Sequence, residues 1–149
     1  MDKSFISKKL EFLAGHLEYL EEYKEYSLED LKDKPKDLKY VEKMTQEIVD
    51  CAVDINQYFL EKLVSEKSWS SKQSFRDLEE KISQKRNLGF GQDALKLLID
   101  TVSFRNEIVH SYDINVYLLW YKRNIKSIIE VYKKYLEAII KLSDDLETK

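Results

Sequence analysis

The segment Phe104–Tyr112, with the sequence FRNEIVHSY, contains residue types that can act on a phosphodiester. The guanidinium of Arg105 can hold a phosphate through two hydrogen bonds and keeps its charge at ordinary pH. The imidazole of His110 titrates near neutral pH and can transfer protons. RNA supplies its own nucleophile, the 2′-hydroxyl, so a phosphate clamp, a base and an acid can suffice without a metal ion. The spacing arginine, four residues, histidine, one residue, tyrosine is therefore compatible with RNA cleavage.

Helix geometry limits how Arg105 and His110 can act together. Positions five apart in a continuous α-helix differ by about 140° around its axis. The two side chains converge only if the helix ends near Val109, or if they come from different subunits. A structural role also fits the residues: Arg105 would cap the helix C-terminus, His110 would pack in a turn and Tyr112 would fill core.

The number of histidines favours two subunits at the site. Acid–base cleavage of RNA requires one group to accept the 2′-hydroxyl proton and another to protonate the leaving oxygen. The chain has two histidines, and His16 lies in the first helix without a neighbouring arginine. A two-fold homodimer with the motif at its axis would supply two copies of His110 and two of Arg105. The sequence thus predicts a homodimer.

Composition narrows the class of protein further. The chain has 149 residues and a formal net charge of −3, so no overall positive field would attract nucleic acid. One cysteine excludes an intramolecular disulfide and fits a reducing, cytoplasmic compartment. No secretory signal and no apolar run of membrane-spanning length is visible. Asp50 and Asp54 lie one helical turn apart, but without clustered histidines they predict no metal site; a salt bridge or hydrogen bond from one of them to Arg105 or His110 is the alternative.

Apolar residues recur at helical spacing in the first half of the chain. The first stripe comprises Ile6, Leu10, Leu13, Leu17 and Leu20, and the second comprises Val41, Met44, Ile48, Ala52, Ile55, Phe59 and Leu63. The break Asp30–Lys36, with the single proline Pro35, separates the two. The second helix is expected to run to about Ser65.

The second half predicts one short helix and two longer ones. A loop over Glu66–Gln73 would lead to Ser74 as N-cap, with Asp77 three residues later. This short helix would end near residues 85–86, before a glycine turn at Asn87–Gly91. The fourth helix carries Leu95, Leu98, Val102 and Val109, and the last carries Val116, Leu119, Ile125, Ile128, Ile129, Tyr132, Leu136, Ile139 and Ile140. The prediction is an all-α, up-and-down bundle of four long helices and one short helix.

The segment Arg105–Tyr112 resembles the RX4HXY motif of HepT-type toxins, which belong to the HEPN superfamily of helical domains. Tyr40–Asp50 is similar to the second helix of that family, and Ser74–Leu78 is similar to the short segment before its glycine turn. Tyr117 follows at the start of the last helix. The resemblance covers roughly Leu10–Leu142 and implies one HepT-like domain over residues 1–149.

The resemblance also implies a function. It predicts a metal-independent endoribonuclease without cofactors, the toxin of a type VII toxin–antitoxin system, with RNA as substrate and an active cleft across a homodimer. The partner would be an MntA-like nucleotidyltransferase antitoxin, which transfers AMP from ATP to the motif tyrosine. For this chain, the resemblance implies that Arg105 and His110 are the catalytic pair. It also implies that Asn106 orients substrate or His110 and that Tyr112 accepts AMP.

Two positions depart from the family pattern. Ser111 stands where many members have aspartate, and Lys39 stands where arginine is expected. The alternative interpretation is a catalytically silent HEPN interaction module that binds a nucleotide or a nucleotidyltransferase partner. RNA cleavage that disappears with His110→Ala distinguishes the enzyme from this module.

Overall fold

A computed structural model describes residues 2–86, 88–110 and 125–147; for residues 85, 86, 109 and 110 it describes the backbone only. Its α-helices are α1 (Lys3–Leu20), α2 (Pro35–Val64), α3 (Ser71–Arg86), α4 (Gln92–His110) and α5 (Ile125–Glu147). Two short 3-10 turns, Glu21–Tyr23 and Glu29–Leu31, connect α1 to α2. The described part of the chain contains no strand, and the predicted all-α fold is confirmed.

Four of the helices pack in a closed ring. Helix α2 lies between α1 and α4, and α5 closes the ring by packing on α4 and α1. Helix α3 lies outside the ring against α2 and α4. Lys9 pairs with Asp54 and His16 pairs with Glu47, so α1 runs antiparallel to α2. Lys3 pairs with Glu147, and Glu21, just after α1, pairs with Lys133, so α1 also runs antiparallel to α5. This ring places the outer face of α2 between α1 and α4, where the candidate site lies.

The predicted stripes face the interior of the ring. Most of their members are buried: Ile6, Leu13, Leu17, Leu20, Val41, Met44, Ile48, Ala52, Ile55, Phe59, Leu98, Val102, Ile125, Ile128, Ile129, Tyr132 and Ile139. Ile140 is an exception, because its side chain is 44% exposed while its neighbour Ile139 is fully buried. A residue step of about 100° around the helix turns Ile140 out of the core. The predicted core positions Val109, Val116 and Leu119 fall outside the described side chains.

The boundaries of α2 follow from two residues that suit helix ends. Pro35 occupies the first turn, where a missing backbone N–H is tolerated. Ser65 follows the last turn in the left-handed conformation, with φ of 59°, and the predicted end of the helix is therefore confirmed. The predicted break at Asp30–Lys36 is shorter than the observed one, since α1 ends at Leu20 and α2 begins at Pro35.

The predicted start of α3 is wrong. The helix begins at Ser71, and the Oγ of Ser70 accepts a hydrogen bond from the backbone N–H of Gln73 at 3.0 Å, as an N-cap does. Ser74 is instead buried inside the helix, where its Oγ accepts a hydrogen bond from Asn56 at 3.1 Å. Asp77 accepts hydrogen bonds from Ser68 and Gln73. Several serines lie near the start of α3, and each could serve as its N-cap. The hydrogen bond between Ser74 and Asn56 on α2 places Ser74 inside the helix and leaves Ser70 as the cap.

A buried carboxylate holds the turn between α3 and α4. Glu79 is 4% exposed and accepts hydrogen bonds from the backbone N–H groups of Phe90 at 2.7 Å and Gly91 at 3.4 Å. Gly89 has φ of 145°, and a Cβ there would lie 2.7 Å from Glu79 Oε1. Glycine is therefore required at this position on both conformational and steric grounds.

Candidate active site

Helix α4 positions the arginine of the motif through its buried face. Thr101 and Phe104 are fully buried, and the Thr101 hydroxyl lies 2.7 Å from the hydroxyl of the buried Tyr132 on α5. Arg105 lies one turn beyond Thr101, at the boundary between core and solvent, with 28% of its side chain exposed. The buried contacts of α4 therefore fix the backbone from which Arg105 extends.

Two neighbours hold the Arg105 guanidinium. Its Nε donates to Oδ1 of Asp50 on α2 at 2.9 Å, and its Nη1 donates to Oδ1 of Asn106 at 3.1 Å. A guanidinium has five N–H groups, so three have no acceptor among the residues that the structure describes. Asp50 thus orients the arginine, and within the described part of the chain three N–H groups of its fork are available to an anion.

Asp54, the second predicted carboxylate, does not join this cluster. Its Oδ2 accepts a hydrogen bond from Lys9 Nζ on α1 at 2.9 Å. Asp50 and Asp54 lie on the outer face of α2, but one meets α4 and the other meets α1. The structure therefore brings together Arg105, Asn106 and Asp50, and pairs Asp54 with Lys9 on α1 instead.

The helical backbone of α4 continues through His110. The last described residue of α4 is one position beyond Val109, so both options, a helix that ends near Val109 and a site shared between subunits, stay open. In a continuous helix Arg105 and His110 leave the backbone about 140° apart. The His110 side chain and all of Tyr112 lie outside what the structure describes.

Glu107, between the two motif residues, is a group that the sequence analysis missed. Its Oε2 is buried and has no hydrogen-bond partner among the described residues. Burial raises the pKa of Glu107 above its ordinary value, and the charge of Lys72 on α3 opposes that rise. Glu107 is one of several charged residues in α4, so nothing in the sequence indicates that one of its carboxylate oxygens is buried.

A groove between α1 and α2 is the second feature that sequence reasoning missed. Its cavity of about 330 Å³ is lined by Lys8, Lys9, Phe12, Glu47, Asp50, Cys51 and Asp54. Asp50 both lines this groove and binds Arg105. The Phe12 ring is 44% exposed, and its position off the apolar stripe of α1 was the available sequence signal.

His16 stands beside the groove in a fixed orientation. Its Nδ1 lies 3.0 Å from the carbonyl oxygen of Phe12, and its Nε2 lies 2.5 Å from Glu47 Oε2. A carbonyl oxygen can only accept, so Nδ1 carries a proton. Sequence analysis placed His16 in the first helix but could not identify Glu47 as its partner, because the two are 31 residues apart.

Neither a metal-binding cluster nor a membrane-spanning helix is present in the described residues. No group of three or more His, Cys, Asp or Glu side chains in residues 2–86, 88–110 and 125–147 is arranged to hold a metal ion. No helix in these same ranges is long and apolar enough to cross a membrane.

Known proteins resemble the chain over most of its length. The family model described as "Ribonuclease HepT-like" matches residues 13–139. A protein from Aphanizomenon flos-aquae (strain 2012/KM1/D3), named tRNA nuclease HepT, is 29% identical over 108 residues, which cover 72% of this chain and 69% of that protein. The resemblance inferred from the Arg105–Tyr112 motif is confirmed. This chain belongs to the HepT-like ribonuclease family.

Proposed function

We propose that this protein is an endoribonuclease in which Arg105 binds the scissile phosphate and His110 transfers protons. One observation carries the proposal: Asp50 and Asn106 hold the Arg105 guanidinium at the solvent boundary with three N–H groups unassigned among the described residues. A fixed guanidinium can hold a phosphate through two hydrogen bonds. The name of the Aphanizomenon relative makes tRNA the first substrate to examine.

The proposed reaction uses the 2′-hydroxyl of RNA as nucleophile. One His110 imidazole accepts the 2′-hydroxyl proton while O2′ bonds to the adjacent phosphorus. The bond from phosphorus to O5′ breaks, and a protonated imidazole donates its proton to O5′. The products are a 2′,3′-cyclic phosphate and a 5′-hydroxyl. Arg105 stabilises the charge that develops on the phosphate oxygens.

We propose further that the site is shared across a homodimer. The continuation of α4 through His110 supports this, because helix geometry separates the two motif residues within one chain. Co-expression of wild-type and His110→Ala chains tests it. Because the proposed reaction takes one imidazole from each chain, the mixed dimer lacks either the base or the acid and should cleave as poorly as the His110→Ala homodimer. A mixed dimer with half of the wild-type activity would place a complete site in each chain.

Cleavage itself is tested with purified protein, tRNA and a chelator. We expect 2′,3′-cyclic phosphate ends with the wild type and a loss of at least about 100-fold with His110→Ala. Retained activity in the chelator supports metal independence. A wild type that neither cleaves RNA nor inhibits growth would instead identify a silent interaction module that binds nucleotide or a nucleotidyltransferase.

The proposed biological role is that of a cytoplasmic type VII toxin. An MntA-like nucleotidyltransferase would join the α-phosphate of ATP to the Tyr112 hydroxyl and release pyrophosphate. The added negative charge and bulk, two residues from His110, would exclude the substrate phosphate. Tyr112→Phe should remain toxic and escape neutralisation. AMP transfer to the Phe variant would exclude Tyr112 as the acceptor.

A further inference from the structure

The groove between α1 and α2 has the chemistry of a nucleobase subsite. We propose that it binds a base of the RNA substrate beside the phosphate held by Arg105, with the Phe12 ring as the stacking surface. This inference rests on the proposed function, because it concerns the same substrate. It adds where a neighbouring nucleotide binds and which side chain holds it.

The Phe12 ring is a preorganised surface. The ring stacks on His16 with centroids 4.0 Å apart and planes inclined by 27°. His16 is itself held through Nδ1 by the Phe12 carbonyl and through Nε2 by Glu47. One face of Phe12 is thus supported from within the protein, while 44% of the residue stays exposed. An aromatic ring held in this way loses little conformational freedom when a base stacks on it.

The groove and the proposed phosphate clamp share one residue, Asp50. Asp50 lines the groove and also accepts the hydrogen bond from Arg105 Nε. A ligand that lies on Phe12 therefore approaches the same carboxylate that orients the arginine. The volume of about 330 Å³ lies at the small end of the range for organic ligands.

The ion pairs of the groove allow it to accept an anionic chain. Each of its three carboxylates has a cationic or hydrogen-bonding partner: Asp50 with Arg105, Asp54 with Lys9, and Glu47 with His16. Lys8 is exposed and has no ion-pair partner among the described residues. With these acids paired, Lys8 is the described cation of the groove that can bind a phosphate next to the base, a contact that an apolar peptide would not use.

The first test measures binding of a labelled single-stranded RNA by fluorescence anisotropy. Phe12→Ala should weaken binding by about 5- to 150-fold, since stacking of a base on an aromatic ring contributes about 1–3 kcal/mol. Phe12→Trp should restore it. Trp69→Ala is the control, because Trp69 is an exposed aromatic residue that neither lines the groove nor contacts His16. It should bind like the wild type.

The second test asks whether Phe12 contacts a base. Cleavage is measured on RNA with an abasic nucleotide at each position next to the cleaved bond. With the wild type, one abasic position should raise KM by about the same factor as Phe12→Ala. With Phe12→Ala, the same abasic substitution should have no further effect, because the contact is already lost.

The outcomes separate this inference from the proposed function. RNA cleavage with independent, additive effects of Phe12→Ala and the abasic position would overturn the subsite and leave the ribonuclease intact. Phe12-dependent RNA binding without cleavage would support the subsite and overturn the ribonuclease. A shift in sedimentation equilibrium with Phe12→Ala and no change in RNA binding would assign the groove to a second copy of the chain. Absence of both binding and cleavage would overturn both proposals.

Discussion

The carboxylate of Asp50 on α2 accepts a hydrogen bond from Arg105 Nε on α4 at 2.9 Å, across 55 residues of sequence. The two side chains are 46% and 28% exposed, so solvent screens their charges and the pair contributes about 1 kcal/mol or less to stability. The main effect of this pair is to orient the arginine. Asp50 holds the Nε–H group of Arg105, so the other N–H groups of the guanidinium point in a defined direction.

Asp50→Asn should reduce activity without unfolding the protein. We expect kcat/KM to fall by about 10- to 100-fold, because an arginine that has lost its charged partner is misaligned. The melting temperature should change by a few degrees at most. Glu61→Gln is the control, since Glu61 lies on the same helix and pairs with the exposed Lys67 at 3.7 Å. Equal activity of Asp50→Asn and wild type would contradict the orienting role.

Arg105→Lys should be nearly as inactive as Arg105→Ala. Lysine keeps the positive charge but lacks the planar fork, and it cannot bond Asp50, Asn106 and a phosphate together in this geometry. We expect kcat to fall by about 100-fold in both variants. Single-turnover cleavage of tRNA measures this directly. Activity of the lysine variant near the wild-type value would show that charge alone suffices.

Glu107→Gln should stabilise the protein at neutral pH. The buried Oε2 has no partner among the described residues, and a neutral amide removes the penalty of burying a charge, about 1 kcal/mol. Burial raises the pKa of Glu107, so the native state binds this proton more tightly than the unfolded state does. The advantage of glutamine should therefore be present at pH 7 and decline as pH falls through the raised pKa. Urea unfolding of both proteins is measured at pH 7 and at a pH below the ordinary pKa of glutamate. If the two proteins differ by the same free energy of unfolding at both pH values, the raised pKa of Glu107 is contradicted.

Tyr135→Phe should destabilise the core by about 1–3 kcal/mol, because it leaves a buried acceptor without its donor. The Tyr135 hydroxyl lies 2.6 Å from Asn56 Oδ1 and 3.0 Å from the Ala52 carbonyl oxygen. Urea denaturation gives the free energy of unfolding. Tyr19→Phe removes a hydroxyl from an exposed ring and should have no effect. Similar stability of the two variants would show that the buried network contributes little.

Lys8→Gln should reduce the salt dependence of RNA binding. One phosphate contact contributes about 0.7 to the slope of log K against log salt for a single strand, so the slope should decrease by about this amount. Lys3→Gln is the control on the same helix, because Lys3 does not line the groove and lies 3.9 Å from Glu147. Equal slopes for wild type and Lys8→Gln would remove Lys8 from the RNA path.

The sequence determined the helices and the family. The stripes on α1, α2 and α5 predict their buried faces because burial of one face of a helix repeats every three to four residues. Pro35 and Ser65 mark α2, and the Arg105–Tyr112 motif identifies the family. The predicted cap at Ser74 is wrong because several serines precede α3, and a contact with Asn56 on another helix selects the register.

Tertiary structure decided which charged residues meet. Asp50 and Asp54 are equivalent in sequence, yet one binds Arg105 on α4 and the other binds Lys9 on α1. Which neighbouring helix each carboxylate contacts depends on how the ring of helices closes, and no local pattern encodes that arrangement. The pairing of His16 with Glu47 on α2 also depends on the packing of two helices. Local periodicity in the sequence therefore predicts the helices. Packing between residues that are distant in sequence brings Asp50 and Arg105 together in the site.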